Sequence, residues 1–272
     1  MTSIRKVAII GGNRIPFVRS NTSYSHASTM DMLSATLQGL VNRFGLSGQR
    51  LGEVAAGAVM KHSRDFNLAR EATLNSGLSL QTPAYDVQQA CGTGLEAAIL
   101  VGNKIALGQI ECGIAAGTDT ASDAPIALNE KYRHMILSLN RAKTFGQRLG
   151  ALASIRPSFI LPLLPANAEP RTGLSMGQHC ELMVKHWDVS REDQDELTFK
   201  SHQNLMAAYE CGFFDDLIQP FKGVARDGIM RATPLEKWAN LQHAYDPVNG
   251  NVTAANAPTQ PEGAAAQLMG SE

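Results

Sequence analysis

Residues 87–95 read Val-Gln-Gln-Ala-Cys-Gly-Thr-Gly-Leu, which predicts a strand end, a tight turn that carries Cys91, and the start of a helix. The following residues, Leu95 to Leu107, are apolar on nearly every side and carry only Glu96 and Lys104 as charges. We therefore expect a buried helix whose first turn points inward. Unsatisfied N–H groups and the positive end of the helix dipole favour a thiolate there, which would make Cys91 a nucleophile. The alternative is that Cys91 only fills core volume.

On both sides of this stretch, the sequence predicts short apolar strands that alternate with helices. Strands are predicted at 4–12, 54–60, 84–89, 111–117, 250–256 and 264–269, and helices at 29–44, 67–76, 95–107, 176–187 and 191–212. Ser28 or Thr29 is the expected N-cap of the first helix, and Gly45 its stop. Alternation at these lengths predicts an α/β fold with βαβ units and a largely parallel sheet covered on both faces.

Composition narrows the classes of function. The 272 residues include 24 Lys and Arg against 25 Asp and Glu, so the formal charge is −1 and a nucleic-acid binder is not expected. The four cysteines form no CxxC pair, and no signal peptide is recognised before Ile4, which favours a reduced, cytoplasmic setting. We expect no metal site, and Cys112, Cys180 and Cys211 are interpreted as structural. No apolar run is long enough to span a bilayer.

Between about 121 and 246 the sheet pattern is interrupted by a segment rich in arginine and proline, which predicts an insertion. It contains the apolar stretch from Phe159 to Leu164, flanked by Arg148 and Arg156. Apolar side chains beside basic residues suggest contact with a membrane surface or a partner subunit. The alternative is that this apolar stretch packs on its own domain.

Five motifs in order resemble the thiolase family of acyl-CoA acyltransferases. They are Arg14-Ile15-Pro16-Phe17, Gln89-Ala90-Cys91-Gly92-Thr93-Gly94, Ala115-Ala116-Gly117-Thr118-Asp119, Thr172-Gly173-Leu174-Ser175-Met176-Gly177 and Val252-Thr253-Ala254-Ala255-Asn256. Within that family the chain is most similar to the beta subunits of fatty-acid-oxidation complexes. The resemblance implies a layered αβαβα fold with a mixed five-stranded sheet and a mainly helical inserted loop domain. It places the N-terminal domain at 1–120 and 247–272 and the loop domain at 121–246.

The resemblance also implies the chemistry. Cys91 would attack a 3-oxoacyl-CoA and carry the acyl group, while Ser175, Met176, Arg231 and Ala257 would contact coenzyme A, which is a substrate and not a permanent cofactor. For Arg231 the alternative is a solvated loop arginine. A homo-oligomer is also implied.

The sequence departs from the family in three respects. The family's Gly-His-Pro base and its second, proton-donating cysteine do not occur, so the C-terminal half is expected from a separate polypeptide, from a longer gene product, or not at all. Pro258 and Glu262 stand where relatives carry a pantetheine-contacting serine and an aspartate. The third departure is that the helix after Cys91 lacks the counterpart it packs on, and exposed apolar faces mark interfaces.

These departures keep two other hypotheses open. The first is a non-catalytic thiolase-like protein that binds acyl-CoA or serves in assembly. The second is a ketoacyl or polyketide condensing enzyme, against which the long insertion argues.

Overall fold

A computed structural model describes residues 4–159, 161–257 and 260–272. Pro258, on which the expected loss of a pantetheine contact depends, lies outside the described residues, as does Ile160 in the apolar stretch. In the described parts of the chain, no helix has the length and apolar composition needed to cross a bilayer.

The sheet is mixed, as the resemblance implies. Its strands are β1 (Val7–Arg14), β2 (Val18–Arg19), β3 (Glu53–Gly57), β4 (Ala84–Asp86), β5 (Cys112–Asp119) and β6 (Pro261–Ser271). The order is β1-β6-β5-β3-β4, and the short β2 pairs with β6. β3 runs parallel to β4 and β5, whereas β6 runs antiparallel to β1, β2 and β5.

The expectation of a largely parallel sheet is therefore wrong for the half that contains β6. The chain leaves the sheet at Asp119 and returns beside the same residue, which pairs with Gly263. Because β6 begins beside the C-terminal end of β5, it must run back along β5 in the antiparallel direction. Parallel pairing needs a crossover to the opposite edge, and the segment between β5 and β6 does not make one.

Helices cover both faces of the sheet. Of the helices α1 (Thr29–Arg43), α2 (Leu68–Asn75), α3 (Thr93–Ala106), α4 (Glu130–Arg141), α5 (Phe145–Ala153), α6 (Met176–His186) and α7 (Arg191–Glu210), α1 and α2 pack on one face of the sheet and α3 packs on the other. Val54 and Ile114 point into the core formed with α1 and α2, while their neighbours Ala55 and Ala115 point towards α3. This alternation is the period of two that a strand imposes on its side chains.

The first helix is the prediction that the structure confirms most closely. Ser28 accepts a hydrogen bond from Asp31 N, and the Asp31 carboxylate accepts one from Ser28 N, which completes a capping box. Gly45 follows the helix with φ +63°, a conformation that favours glycine. The predicted helices at 67–76, 176–187 and 191–212 are also present, within a few residues at their ends.

Helix α3 is not buried all round, contrary to the expectation. Only Thr93, Ala97, Val101 and Ile105 are buried, and they form one stripe with a spacing of four residues. On another face Leu95 is 69% exposed and Ile99 is 46% exposed. The sequence is apolar on both faces, but this chain covers only one of them.

Residues 250–256 form a loop with turns, so the predicted strand is wrong. Asn256 Oδ1 accepts a hydrogen bond from Thr253 N at 2.7 Å, and Thr253 Oγ1 accepts one from Ala255 N at 3.3 Å. Side chains that take the local N–H groups in this way compete with a sheet ladder.

The contacts within the chain divide it into two compact units. One contains the described residues up to Asp123 and those from Ala168 to Glu272, and the other contains 124–167. In the second unit α4 packs against α5. The division at 120 and 246 follows a family plan and stays a prediction.

A buried ion pair connects the end of β1 to the segment after α7. Arg14 donates from Nη1 and Nη2 to Asp227 Oδ1 and Oδ2, both at 2.7 Å, and Phe17 N donates to Oδ1 at 2.6 Å. Burial alone would raise the pKa of Asp227, but these hydrogen bonds outweigh it and hold that pKa below its ordinary value. The motif Arg14-Ile15-Pro16-Phe17 therefore has a structural role.

We predict that Asp227→Asn lowers the free energy of unfolding at pH 7 by about 3–5 kcal/mol, because Arg14 keeps a buried charge without its partner. A lowered carboxyl pKa stabilises the fold above the unfolded value of about 3.9, and this contribution is lost as the pH falls through the folded pKa. The difference between variant and wild type should shrink as the pH falls below about 3.9 and through the lowered folded pKa. Urea unfolding across this pH range measures it.

The matched control is Asp216→Asn, which removes the partner of Arg43 from an exposed pair. It should cost less than about 1 kcal/mol. Equal and small losses in the two variants would contradict the assignment.

Candidate functional site

Cys91 lies in the turn between β4 and α3, directly ahead of Gly92, the N-cap residue. Val87 N donates to Ala56 O at 2.8 Å, which is the last hydrogen bond of that strand before the turn. Ala90 then has φ +46°, an unusual value for a residue with a side chain. Such backbone strain is common at functional sites. The structure thus places Cys91 at the helix start that the sequence predicts, but with its side chain exposed.

Thr93 fixes this turn. Its hydroxyl donates to Ala90 O at 2.7 Å and accepts from Gln89 N at 2.9 Å, while its own N–H donates to Ala90 O at 3.1 Å. The N-cap Gly92 offers no side chain to the first helical turn. N–H groups at a helix start that no side chain caps are suited to stabilise negative charge nearby.

A cavity of about 240 Å³ opens beside Cys91. Glycine and alanine dominate its lining, and Phe17 and Val59 are its larger apolar side chains. The lining residues are Phe17, Gly57, Ala58, Val59, Ala90, Cys91, Thr93, Gly94, Gly117, Thr118, Asp119, Pro261, Gly263, Ala264 and Ala265. The ends of β3 and β5, the start of β6 and the start of α3 therefore meet at one place.

Glycine is required at 57, where the end of β3 approaches the turn before α3. A Cβ at Gly57 would overlap the Val87 carbonyl oxygen and would lie 2.7 Å from the Thr93 methyl group. A Cβ at Gly117 would lie 3.6 Å from the Gly94 Cα atom, which is an ordinary van der Waals contact. The small residues of the lining leave room for the cavity.

Asp119 ends one of the five motifs, but no role was predicted for its carboxylate. Its carboxylate lines the cavity and accepts hydrogen bonds from Val59 N at 2.8 Å and Met60 N at 2.9 Å. Burial raises the pKa of Asp119, although the backbone hydrogen bonds act in the opposite direction. A carboxylate at the end of an apolar strand was the available signal.

The other cysteines lie away from this cavity. Cys112 is half-buried and packs against the core below α1 and α2. Cys180 is half-buried on α6, and Cys211 is exposed at the C-cap of α7. Within the described residues, no group of three His, Cys, Asp or Glu side chains is placed to hold a metal ion.

The four residues expected to contact coenzyme A do not line the Cys91 cavity. Ser175 caps α6 through a hydrogen bond from Gln178 N, and Met176 is 71% exposed. Arg231 donates to Ala254 O at 2.8 Å, and Ala257 N donates to Thr253 O at 2.8 Å. Arg231 and Ala257 are therefore brought to one loop, 250–257, while Ser175 and Met176 begin a helix.

Buried carboxylates connect that loop to α6 and α7. Glu181 accepts hydrogen bonds from Asn251 N at 2.7 Å and Val252 N at 3.0 Å. Asp195 accepts one from Asn256 Nδ2 at 2.9 Å. The motif at 252–256 is thus anchored to both helices.

Glu262 is fully buried at the start of β6. Its Oε1 atom accepts hydrogen bonds from Thr120 Oγ1 at 3.0 Å and Ser122 N at 2.6 Å. Glu262 therefore connects β6 to the segment after β5.

Comparisons with known proteins agree with this architecture. Residues 7–272 match the family described as thiolase, N-terminal domain. The chain is 36% identical to a 3-ketoacyl-CoA thiolase of Pectobacterium carotovorum subsp. carotovorum and 35% identical to one of Shewanella piezotolerans. Both alignments cover 98% of this chain and 63% of the relative, so the chain spans less than two thirds of their length.

A solved structure shares the fold. The crystal structure of the Bacillus anthracis acetyl-CoA acetyltransferase superimposes with a TM-score of 0.79 at 26% identity, and covers all of this chain and 67% of that protein. The profile match over nearly the whole chain, together with the mixed sheet and the cysteine turn, leads to one assignment. This chain belongs to the thiolase family.

Proposed function

We propose that this chain carries the nucleophile of a thiolase-type acyltransferase. The Cys91 thiolate attacks the C3 carbonyl of a 3-oxoacyl-CoA, and the C2–C3 bond breaks. The carbanion takes a proton and leaves as acetyl-CoA, while the acyl group stays on Cys91 as a thioester. The thiol of a second coenzyme A then resolves that thioester, and the reverse sequence joins two acetyl groups. The supporting observation is an accessible thiol at a helix start beside a cavity of small residues.

Turnover needs groups that the sequence does not contain. None of its seven histidines lies in a Gly-His-Pro motif, and the second cysteine of the family is absent. Backbone N–H groups at the α3 start are the recognisable donors to an oxyanion. We propose that the base and the proton donor come from a C-terminal thiolase half, on a separate polypeptide or in a longer product. A homo-oligomer and a fatty-acid-oxidation partner subunit belong to the same proposal.

The exposed face of α3 supports such a partner. A groove of about 540 Å³ lies along α3 and β1 and contains Ile9, Leu95 and Ala98. Apolar surface of this kind normally marks an interface.

Coenzyme A is proposed as a substrate that Ser175, Met176, Arg231 and Ala257 contact.

We predict that iodoacetamide alkylates Cys91 roughly tenfold faster than Cys211, although both thiols are exposed, because only Cys91 lies at a helix start. Acyl-CoA should protect Cys91 and leave Cys211 unprotected. Peptide mapping by mass spectrometry measures both rates, and Cys91→Ser is the control for assignment.

Equal rates for the two cysteines, without protection, would favour the second candidate, a non-catalytic assembly subunit. Equal rates with protection would indicate an acyl-CoA-binding protein without an activated nucleophile.

The chain alone should cleave acetoacetyl-CoA only at background rate, because no base is in place to activate the incoming thiol. Enzymes commonly reach about 10 s⁻¹. Loss of enolate absorbance in the presence of coenzyme A measures the rate. The Cys91→Ser variant gives the background rate. If the wild-type chain turned over near 10 s⁻¹ and Cys91→Ser did not, a base would have to lie within this chain.

We also propose that the unit 124–167 contacts an anionic membrane surface. It holds six Lys and Arg residues and one Glu, so it carries a formal charge of +5 in a chain of charge −1. Along α4 and α5 a groove of about 630 Å³ is lined by apolar side chains, of which Phe145 is 80% exposed. Cationic residues beside exposed apolar ones are typical of interfacial helices.

Arg148→Glu with Arg156→Glu should weaken binding to phosphatidylserine-containing vesicles by roughly 30-fold or more, since each cation near such a surface contributes about 1 kcal/mol. Added salt should weaken wild-type binding as well. Co-sedimentation measures both effects, and Arg50→Glu, at an exposed position outside the unit, is the control. Binding that is insensitive to both arginines would contradict the proposal and favour a partner subunit.

A further inference from the structure

One wall of the Cys91 cavity is a short bend that follows β3. The ladder between β3 and β5 ends where Gly57 pairs with Gly117. Beyond that pair the chain turns through Ala58, Val59 and Met60, and Val59 is 43% exposed where it lines the cavity. No strand neighbour receives the N–H groups of Val59 and Met60 in the described structure, because the bend has left the sheet.

The carboxylate of Asp119 replaces that neighbour. It lies two residues beyond Gly117 on β5, as Val59 lies two residues beyond Gly57 on β3. Its two oxygens take one N–H each, from Val59 at 2.8 Å and from Met60 at 2.9 Å. The next residue, Lys61, forms an ion pair with Asp86, so the bend is held on both sides.

These contacts define what Asp119 can do. Each oxygen accepts one backbone N–H group, and Asp119 is half-buried, which raises its pKa. In the described residues its side-chain hydrogen bonds go to the bend, and none joins it to Cys91. The carboxylate can, however, determine where the backbone of the bend lies and therefore where the Val59 side chain stands.

We propose that Asp119 is a positioning residue that holds Val59 as the wall limiting the length of an apolar group carried on Cys91. The small lining residues leave Val59 and Phe17 as the larger apolar side chains of the cavity. Phe17 is fixed separately, through its N–H bond to Asp227. That this apolar group is an acyl group rests on the proposed function. The length limit itself applies to any alkyl chain attached to the Cys91 sulfur.

The test uses N-alkylmaleimides, which label cysteines without coenzyme A. N-methylmaleimide, N-butylmaleimide and N-octylmaleimide are reacted with the chain, and the ratio of Cys91 to Cys211 labelling is measured by peptide mapping. In wild type this ratio should fall as the alkyl group lengthens. Asp119→Asn puts an amide N–H₂ against one of the two backbone donors, and should raise the octyl ratio by roughly tenfold while changing the methyl ratio little.

Variants of the wall itself make the test independent of the carboxylate. Val59→Ala should raise the octyl ratio in the same way, and Val59→Phe should lower it. The double variant Asp119→Asn with Val59→Ala should gain little over either single variant, because both act on one wall. The control is Asp123→Asn, whose carboxylate pairs with His62 and Arg64 instead of the cavity bend, and which should leave the profile unchanged.

Two outcomes would overturn the proposal. One is a length profile that Val59 substitutions shift and Asp119→Asn does not. The other is that Asp119→Asn speeds the labelling of both Cys91 and half-buried Cys112 by all three maleimides to the same extent. That result would show that the variant destabilises the fold as a whole. Failure of the proposed function is a separate result, since Cys91 would then resist acylation by acyl-CoA of every length while the maleimide profile still holds.

Discussion

The close approach of the α3 start to strands β3 and β5 is the constraint on which the site depends. It requires glycine at 57, because a Cβ there would overlap the Val87 carbonyl oxygen. With this position free of a side chain, the Thr93 hydroxyl can close the turn onto Ala90 O and Gln89 N. Cys91 is then presented above the sheet edge. The cost is a strained Ala90, roughly 1–2 kcal/mol for a residue with a side chain in that region.

A second set of interactions holds the later part of the chain to this framework. Arg14 and Asp227 connect β1 to the segment after α7, and Glu262 connects β6 to the segment after β5. Glu181 and Asp195 connect α6 and α7 to the loop that contains Ala257. These are long-range polar contacts between buried groups, so each is costly to break once formed. The motifs outside the cysteine turn thus have structural roles that are visible in the contacts.

Local signals in the sequence were sufficient for much of this architecture. The capping box at Ser28, the glycine stop at Gly45 and the helix start after Cys91 depend on neighbours within a few residues, and the structure has all three. The direction of β6 was not predictable from alternation, because it depends on where a long excursion returns. The loop at 250–256 was mistaken for a strand because its apolar residues alternate, while Thr253 and Asn256 take its N–H groups. The role of Asp119 was missed because its partners lie about sixty residues away, in the bend that follows another strand.

The uncovered face of α3 and the Cys91 cavity are physically connected. The groove along α3 and the cavity share Gly94, Gly117 and Ala265 in their linings, so they are two sides of one ridge of small residues. A layer that buries Leu95 and Ile99 gains about 1–2 kcal/mol for Leu95 and about 1 kcal/mol for Ile99, because part of each side chain is already covered. Because the groove and the cavity share these residues, such a layer would border the Cys91 cavity. The apolar residues that make α3 look like a core helix therefore favour an assembly in which the layer that covers α3 also lies next to the Cys91 cavity.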